Sequence, residues 1–143
     1  MNTFREKVAV ITGAASGIGR ALAGRCAREG MRIVLADVEA PALAQAETEL
    51  KAAGADVLAV LTDVSKAGDV EALARKTLDA YGAVHLLCNN AGVGTGSTAW
   101  ESTINDWQWV IGVNFLAQSG GFTPPEHNPE AAPHGSELRV IYD

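Results

Sequence analysis

The chain opens with a short apolar strand that runs into a glycine turn and then into a helix. Lys7-Val8-Ala9-Val10-Ile11-Thr12 is β-branched and apolar on both sides, the pattern of a strand covered on both faces. Gly13 to Gly17 make the turn, and Ile18 to Glu29 read as a helix whose apolar face is Ile18, Ala21, Leu22 and Cys26, with Gly30 as its stop. The same alternation follows three more times. A strand over 32–36 ends on Asp37, and a helix over 40–53 presents Leu43, Ala46, Leu50 and Ala53 before Gly54. A strand over 56–61 leads to Thr62-Asp63-Val64, and Ser65 is placed to cap a helix presenting Val70, Leu73, Ala74, Thr77, Leu78 and Tyr81. Gly82 ends that helix, and a fourth strand over 84–88 leads into Asn89-Asn90-Ala91-Gly92. Strands and helices alternating at this spacing require crossover connections, which predicts an α/β fold with a parallel sheet.

Composition narrows the function classes. The chain has 143 residues with 48% hydrophobic and 20% charged side chains, an ordinary globular balance. No apolar run reaches the roughly 20 residues of a membrane span. Charges sit directly against the first strand, so no secretory leader is expected there. Cys26 and Cys88 are too few for a disulfide framework or a zinc site and read as reduced core thiols. A cytoplasmic location and no bound metal are the expectations. Residues 1–76 hold ten basic and ten acidic side chains, whereas residues 77–143 hold seven acids and one base, Arg139. Without a basic cluster to displace counterions from phosphates, nucleic-acid binding is not expected.

Thr12-Gly13-Ala14-Ala15-Ser16-Gly17-Ile18-Gly19 lies where the first strand becomes the first helix. Gly13 permits a tight turn, Gly17 lets the backbone approach a ligand, and Gly19 lets helix and strand pack closely. The free N–H groups of the helix start and its dipole then favour a pyrophosphate. Glycine turns also occur as plain packing. Asp37, 18 residues after Gly19 at the end of the second strand, is placed to accept both ribose hydroxyls of an adenosine, although a solvated loop aspartate would look the same in sequence. A 2′-phosphate would meet repulsion from Asp37, and neither Ser16 nor Val38 supplies a cation to hold one. NAD is therefore expected over NADP.

On these residues the chain resembles the short-chain dehydrogenase/reductase family over residues 5–116. The family's TGxxxGIG motif matches Thr12 to Gly19 at every fixed position, its Asp-Val after the third strand matches Asp63-Val64, and its Asn-Asn-Ala-Gly matches Asn89 to Gly92. The resemblance implies a Rossmann-like doubly wound sheet and hydride exchange between NAD and a small alcohol or carbonyl substrate. It assigns cofactor contacts to Gly13, Ser16, Gly17, Ile18, Gly19, Asp37, Asp63, Val64, Asn90, Ala91 and Gly92, with Asp63-Val64 framing the adenine. It also implies that Asn89 to Gly92 steady the central sheet and flank the cofactor.

A capping pattern at Thr103-Ile104-Asn105-Asp106 starts a further helix, on which Trp107, Val110, Ile111, Asn114 and Phe115 share a face. A buried Asn114 would need partners. In the family the Asn of this Val113-Asn114 pair belongs to a catalytic tetrad, holding a water on the active-site lysine, so Asn114 is the catalytic candidate, although a polar residue at the helix end would also fit. Trp100, Trp107 and Trp109 are expected to be packing residues.

The likeness ends near Leu116-Ala117. Residues 120–135 contain four of the five prolines and three glycines and read as loop or disorder, with a possible short strand over 138–142. The expected organisation is a partial dinucleotide-binding domain over 1–117, its sheet truncated after the fourth strand and following helix, and a divergent tail over 118–143. The family's catalytic Ser and Tyr-x-x-x-Lys motif have no match here. No lysine follows Lys76, Tyr81 has His85 at its fourth successor, Tyr142 has no lysine four residues on, and Ser119, Ser136, His127 and His134 lie in the tail. The chain reads as a truncated or frame-shifted family member, with three readings open: an oxidoreductase by descent, a non-catalytic NAD-binding module or fragment that pairs with an intact partner, or a fragment that does not fold stably and has no function. A fourth strand lacking its neighbour is expected to leave an apolar edge, and with it self-association or homo-oligomerisation.

Overall fold

The computed structural model describes residues 3–116 and 139–142. Five parallel strands form one sheet in the order β3-β2-β1-β4-β5. They are β1 (Val8–Thr12), β2 (Arg32–Asp37), β3 (Val57–Leu61), β4 (Leu86–Asn89) and β5 (Arg139–Tyr142). The helices are α1 (Gly17–Arg28), α2 (Ala40–Ala52), α3 (Ala67–Tyr81) and α4 (Ile104–Ile111), and α4 runs on into a π turn over Gly112–Leu116. The α/β class and the parallel sheet agree with expectation.

Period-two alternation along the strands separates two cores. Ala9, Ile11, Ile33, Leu35 and Cys88 pack with Ala23 and Cys26 of α1 and Leu43, Ala46 and Leu50 of α2. Val8, Val10, Val34, Ala36 and Leu87 face the other way, against Leu73 of α3, with Tyr81 packed alongside. The sheet is thus covered on both faces, as parallel sheets require. Cys26 and Cys88 are buried free thiols, and burial raises both, Cys88 to about 11, so neither is a ready nucleophile.

Several local expectations are corrected. The buried face of α1 is Gly19, Ala23 and Cys26, while Ile18 is 64% exposed, because Gly19 rather than Ile18 meets the turn beneath the helix. Ser65 does not cap α3, which starts at Ala67 behind Lys66. The Ser65 hydroxyl instead donates to Asp63 Oδ1 at 2.6 Å. Leu78 is exposed, and Tyr81 is half-buried with its hydroxyl donating to Asp56 Oδ1 at 2.8 Å. Trp100, Trp107 and Trp109 are all exposed and do not pack into a core.

The expected bare edge on β4 is also corrected. β5 pairs with it in parallel, with Leu86 opposite Arg139 and Asn89 opposite Tyr142. The short strand offered by residues 138–142 thus forms over Arg139–Tyr142, and the sheet does not end at its fourth strand. The expectations for residues 120–135, for Ser119, Ser136, His127 and His134, and for the Phe115 side chain lie outside the described residues.

At its other end β4 is joined to β1 by an unusual bond. The Val8 N–H donates to Nδ1 of His85 at 3.0 Å, and the His85 backbone N–H donates to the Val8 carbonyl at 2.9 Å. The imidazole extends the ladder just before β4 begins.

Candidate functional site

β1 is the central strand, with β2 on one side and β4 on the other, so the chain order reverses between β1 and β4. Loops leaving the carboxyl ends of these strands diverge there and open a crevice. A cleft of about 450 Å3 lies at that point, and Gly13, Ser16, Ile18, Asp37, Asp63 and Asn90 are among its lining residues.

The glycine turn is built by close approach. Gly13 has φ +64, and a Cβ there would lie 2.9 Å from both Ala91 Cα and Asn90 Nδ2. A Cβ on Gly19 would lie 2.2 Å from the Gly13 carbonyl oxygen, so only glycine lets α1 start this close to the turn. At Gly17, with φ +55, nothing lies within 4 Å of the place a Cβ would take. The backbone there is open on its outer side. Ser16 occupies the N-cap of α1 without a side-chain cap hydrogen bond, leaving first-turn N–H groups for another acceptor.

Asp37 accepts from two backbone N–H groups. Its Oδ2 receives the Ala15 N–H at 3.0 Å and its Oδ1 the Glu39 N–H at 3.1 Å. The Ala14 N–H donates to the Ala36 carbonyl at 3.2 Å, so the glycine turn is tied twice to the end of β2. At the end of β3, Asp63 Oδ1 accepts from both the N–H and the hydroxyl of Ser65. The Ser65 hydroxyl hydrogen bond, aided by Lys66, holds the Asp63 carboxyl below its usual range and keeps it an acceptor at neutral pH.

Thr12 was only a motif position in the sequence, yet its hydroxyl is the hinge between β1 and β4. It donates to the Cys88 carbonyl at 3.3 Å and accepts from the Asn90 and Ala91 N–H groups at 3.1 and 3.0 Å. Asn90 Nδ2 returns hydrogen bonds to the Thr12 and Gly13 carbonyls at 3.0 and 3.3 Å. This network holds the Asn90–Gly92 turn against the glycine turn. No buried side-chain polar atom among the described residues is left without a partner.

A second hollow of about 400 Å3 adjoins the first and is lined by residues 89–94 and Asn114. Asn114 sits in the π turn rather than on a continuous α-helical face. Its Oδ1 accepts the Val93 N–H at 2.8 Å and its Nδ2 donates to the Val93 carbonyl at 2.7 Å. The expected partners of Asn114 are therefore backbone groups. The Thr103–Asp106 capping box is present as expected.

The structure brings the sequence-predicted Gly13, Ser16, Ile18, Asp37, Asp63, Val64, Asn90, Ala91 and Gly92 to one cleft, and sets Asn114 in the adjoining hollow. Gly17 and Gly19 are not among the lining residues; Gly19 sits behind the cleft against the Gly13 carbonyl and Asn90 Nδ2. Sequence reasoning did not assign Ala36, Val38, Glu39, Thr62, Val93, Val113 or Trp109 to the cleft they line.

A doubly wound parallel sheet with a glycine turn, a helix start and acidic strand ends at its switch point is the architecture of a dinucleotide-binding protein. The chain belongs to the short chain dehydrogenase family, whose model matches residues 7–119. It is similar to the crystal structure of a short chain dehydrogenase/reductase from Burkholderia phymatum in complex with NAD, at 56% identity and a TM-score of 0.81, covering 83% of this chain and 42% of that one. It also resembles the L-sorbose reductase of Gluconobacter frateurii complexed with NADPH and L-sorbose, at 37% identity and a TM-score of 0.76, covering 81% of this chain and 44% of that one. Among curated relatives, the 1-deoxy-11-beta-hydroxypentalenate dehydrogenase of Streptomyces arenae is 45% identical over 115 residues, 79% of this chain and 41% of the relative. The chain thus spans less than half the length of these relatives. No helix among the described residues is long and apolar enough to cross a membrane.

Proposed function

We propose that this chain binds NAD across the β1/β4 crevice and is the cofactor-holding portion of an oxidoreductase acting on small alcohols or ketones. The observation that carries the reading is that Gly13, Ser16 and Ile18 of the glycine turn, Asp37 and the Asn90–Gly92 turn line a single cleft. The residues fit the cofactor in kind. First-turn N–H groups of α1 at Ser16, Gly17 and Ile18 would take the pyrophosphate, Asp37 the adenosine ribose, and Asp63-Val64 the adenine. Asn90, Ala91 and Gly92 would flank the reacting end. When bound, the nicotinamide supplies or accepts a hydride. Asn114 acts there as a positioning residue, fixing Val93 through its amide oxygen, which accepts the Val93 N–H, and its amide nitrogen, which donates to the Val93 carbonyl.

A second reading, a binding module without turnover, is favoured by the tyrosines. The 143 residues contain no Tyr-x-x-x-Lys. The Tyr81 hydroxyl is engaged by Asp56, and burial together with that carboxylate raises its pKa well above the ordinary tyrosine value, so it cannot serve as the acid/base. Calorimetry with NADH and NADPH tests the shared part of both readings. NADH should bind more tightly, and Asp37→Ala should weaken it by about 10- to 100-fold, the worth of a charge-assisted contact of roughly 1.5–3 kcal/mol. Equal affinity for the two cofactors would overturn the assignment of Asp37. A panel of alcohols and ketones followed by nicotinamide absorbance separates the readings: the 143-residue chain should bind without turnover, and turnover would favour the oxidoreductase reading.

A further inference from the structure

Trp109 lines the cleft although it lies on α4, outside the glycine, Asp-Val and Asn-Asn-Ala-Gly motifs that line most of it. Its neighbours on that helix show which end of the cleft it serves. Gly112, one turn later on the same face, packs so close to the residue following Asp63-Val64 that a Cβ there would lie 3.4 Å from Ser65 Cβ. Val113, four residues after Trp109, is buried and lines the cleft with Val64. The end of α4 is therefore seated on the loop after β3. Trp109, one turn before Val113, lines the same cleft as Asp37, Val38, Asp63 and Val64.

The indole is 49% exposed, and two other large apolar lining residues are still more open, Val38 at 60% and Ile18 at 64%. Exposed apolar side chains around one cleft, with carboxylates at its rim, suit a flat heteroaromatic ring carrying hydrogen-bond donors at its edge. The other tryptophans of this region do not share the site. On a 3.6-residue turn Ile104, Trp107 and Ile111 form a stripe away from Trp109, and neither Trp100 nor Trp107 lines the cleft.

We propose that Trp109 forms an aromatic wall of the adenine subsite, stacking on or against the edge of the base and setting how tightly the adenosine half is held. This rests on the NAD reading above and adds to it a residue outside the glycine, Asp-Val and Asn-Asn-Ala-Gly motifs. Base-to-aromatic contact of this kind is tolerant of ring identity, so phenylalanine should substitute where alanine does not.

Tryptophan emission and calorimetry on the 143-residue chain test it, with AMP and nicotinamide mononucleotide as separate probes of the two halves of the cofactor. AMP should quench emission, nicotinamide mononucleotide should quench it less, and the AMP-dependent change should vanish in Trp109→Phe. Trp109→Ala should weaken AMP about tenfold, equivalent to about 1.4 kcal/mol, while Trp109→Phe stays within about threefold of the parent. Nicotinamide mononucleotide affinity should be unchanged in both. AMP affinity equal to the parent's in Trp109→Ala, or an AMP quench that persists in Trp109→Phe, would overturn the proposal while leaving the NAD reading intact. If the parent binds neither NADH nor AMP, the NAD reading itself falls, and this inference with it. Because Trp109 is half-exposed, both variants should keep the parent's cooperative unfolding, which circular dichroism checks.

Discussion

The side chain of Asn114 holds Val93 as a neighbouring strand would, accepting its N–H at 2.8 Å and donating to its carbonyl at 2.7 Å. The clamp spans the π turn after α4 and the loop after β4. One amide thereby fixes the segment that continues from the Asn90–Gly92 turn. Asn114→Ala removes both bonds, and since the pair is only partly buried the cost should be about 1–2 kcal/mol. Urea unfolding of parent and variant reads it directly. A variant as stable as the parent would show that water replaces the clamp at no cost.

Gly19 and Gly17 should respond differently to the same added methyl group. At Gly19 the methyl meets the Gly13 carbonyl oxygen, a backbone atom that cannot swing aside, so Gly19→Ala should lose about 2–3 kcal/mol of stability. At Gly17 there is open space, and the penalty is the left-handed backbone, roughly 1 kcal/mol. The Gly17 methyl would instead stand where a phosphate approaches the helix start. NADH affinity should therefore fall more than stability does in Gly17→Ala, which denaturation and titration of the same preparation compare.

His85 makes stability depend on pH. Its Nδ1 must be unprotonated to accept the Val8 N–H, and burial, with the Lys7 charge adding to it, lowers the imidazole below its ordinary 6.5. The unfolded chain takes up this proton first as pH falls. The stabilisation is therefore full above about 6.5 and declines as pH drops from there through the lower folded value. The lowered carboxylates Glu49, Asp63, Glu101 and Asp106 act in a separate window, near and below 4.5. Unfolding midpoints between pH 7 and 5 should fall in the parent and flatten in His85→Gln. Parallel profiles would mean the bond with Val8 does not titrate.

Self-association is expected from α4 rather than from a bare strand edge, since β5 covers β4. Ile104, Trp107 and Ile111 form an exposed stripe at i, i+3 and i+7, with Trp100 close by in sequence and 85% exposed. Light scattering should show mass rising with concentration, and Trp107→Lys should reduce it. A parent that stays at 14.9 kDa across the concentration range would remove the case for an interface there.

Much of this molecule was legible in its residues because the signals involved are local. A left-handed turn demands glycine wherever it falls, so Gly13, Gly30, Gly54 and Gly82, all with positive φ, marked the turns in advance. A capping box needs only Thr103 and Asp106 three residues apart, and apolar strands covered on both faces announced the parallel sheet. The motif residues could be assigned to a common cleft because each stands at the end of a strand. Contact across the fold was not legible. Which face of α1 is buried depended on how closely Gly19 meets Gly13, and that put Ile18 outside. Asp37 looked like a ribose acceptor, and only folding showed it also holding the Ala15 N–H of the glycine turn. The Thr12 hydroxyl, the Val93 backbone and the Trp109 indole gained their places from residues far away in the chain. Local preference is set by each residue's own backbone and near neighbours, whereas these pairings exist only once the sheet has brought its strand ends together.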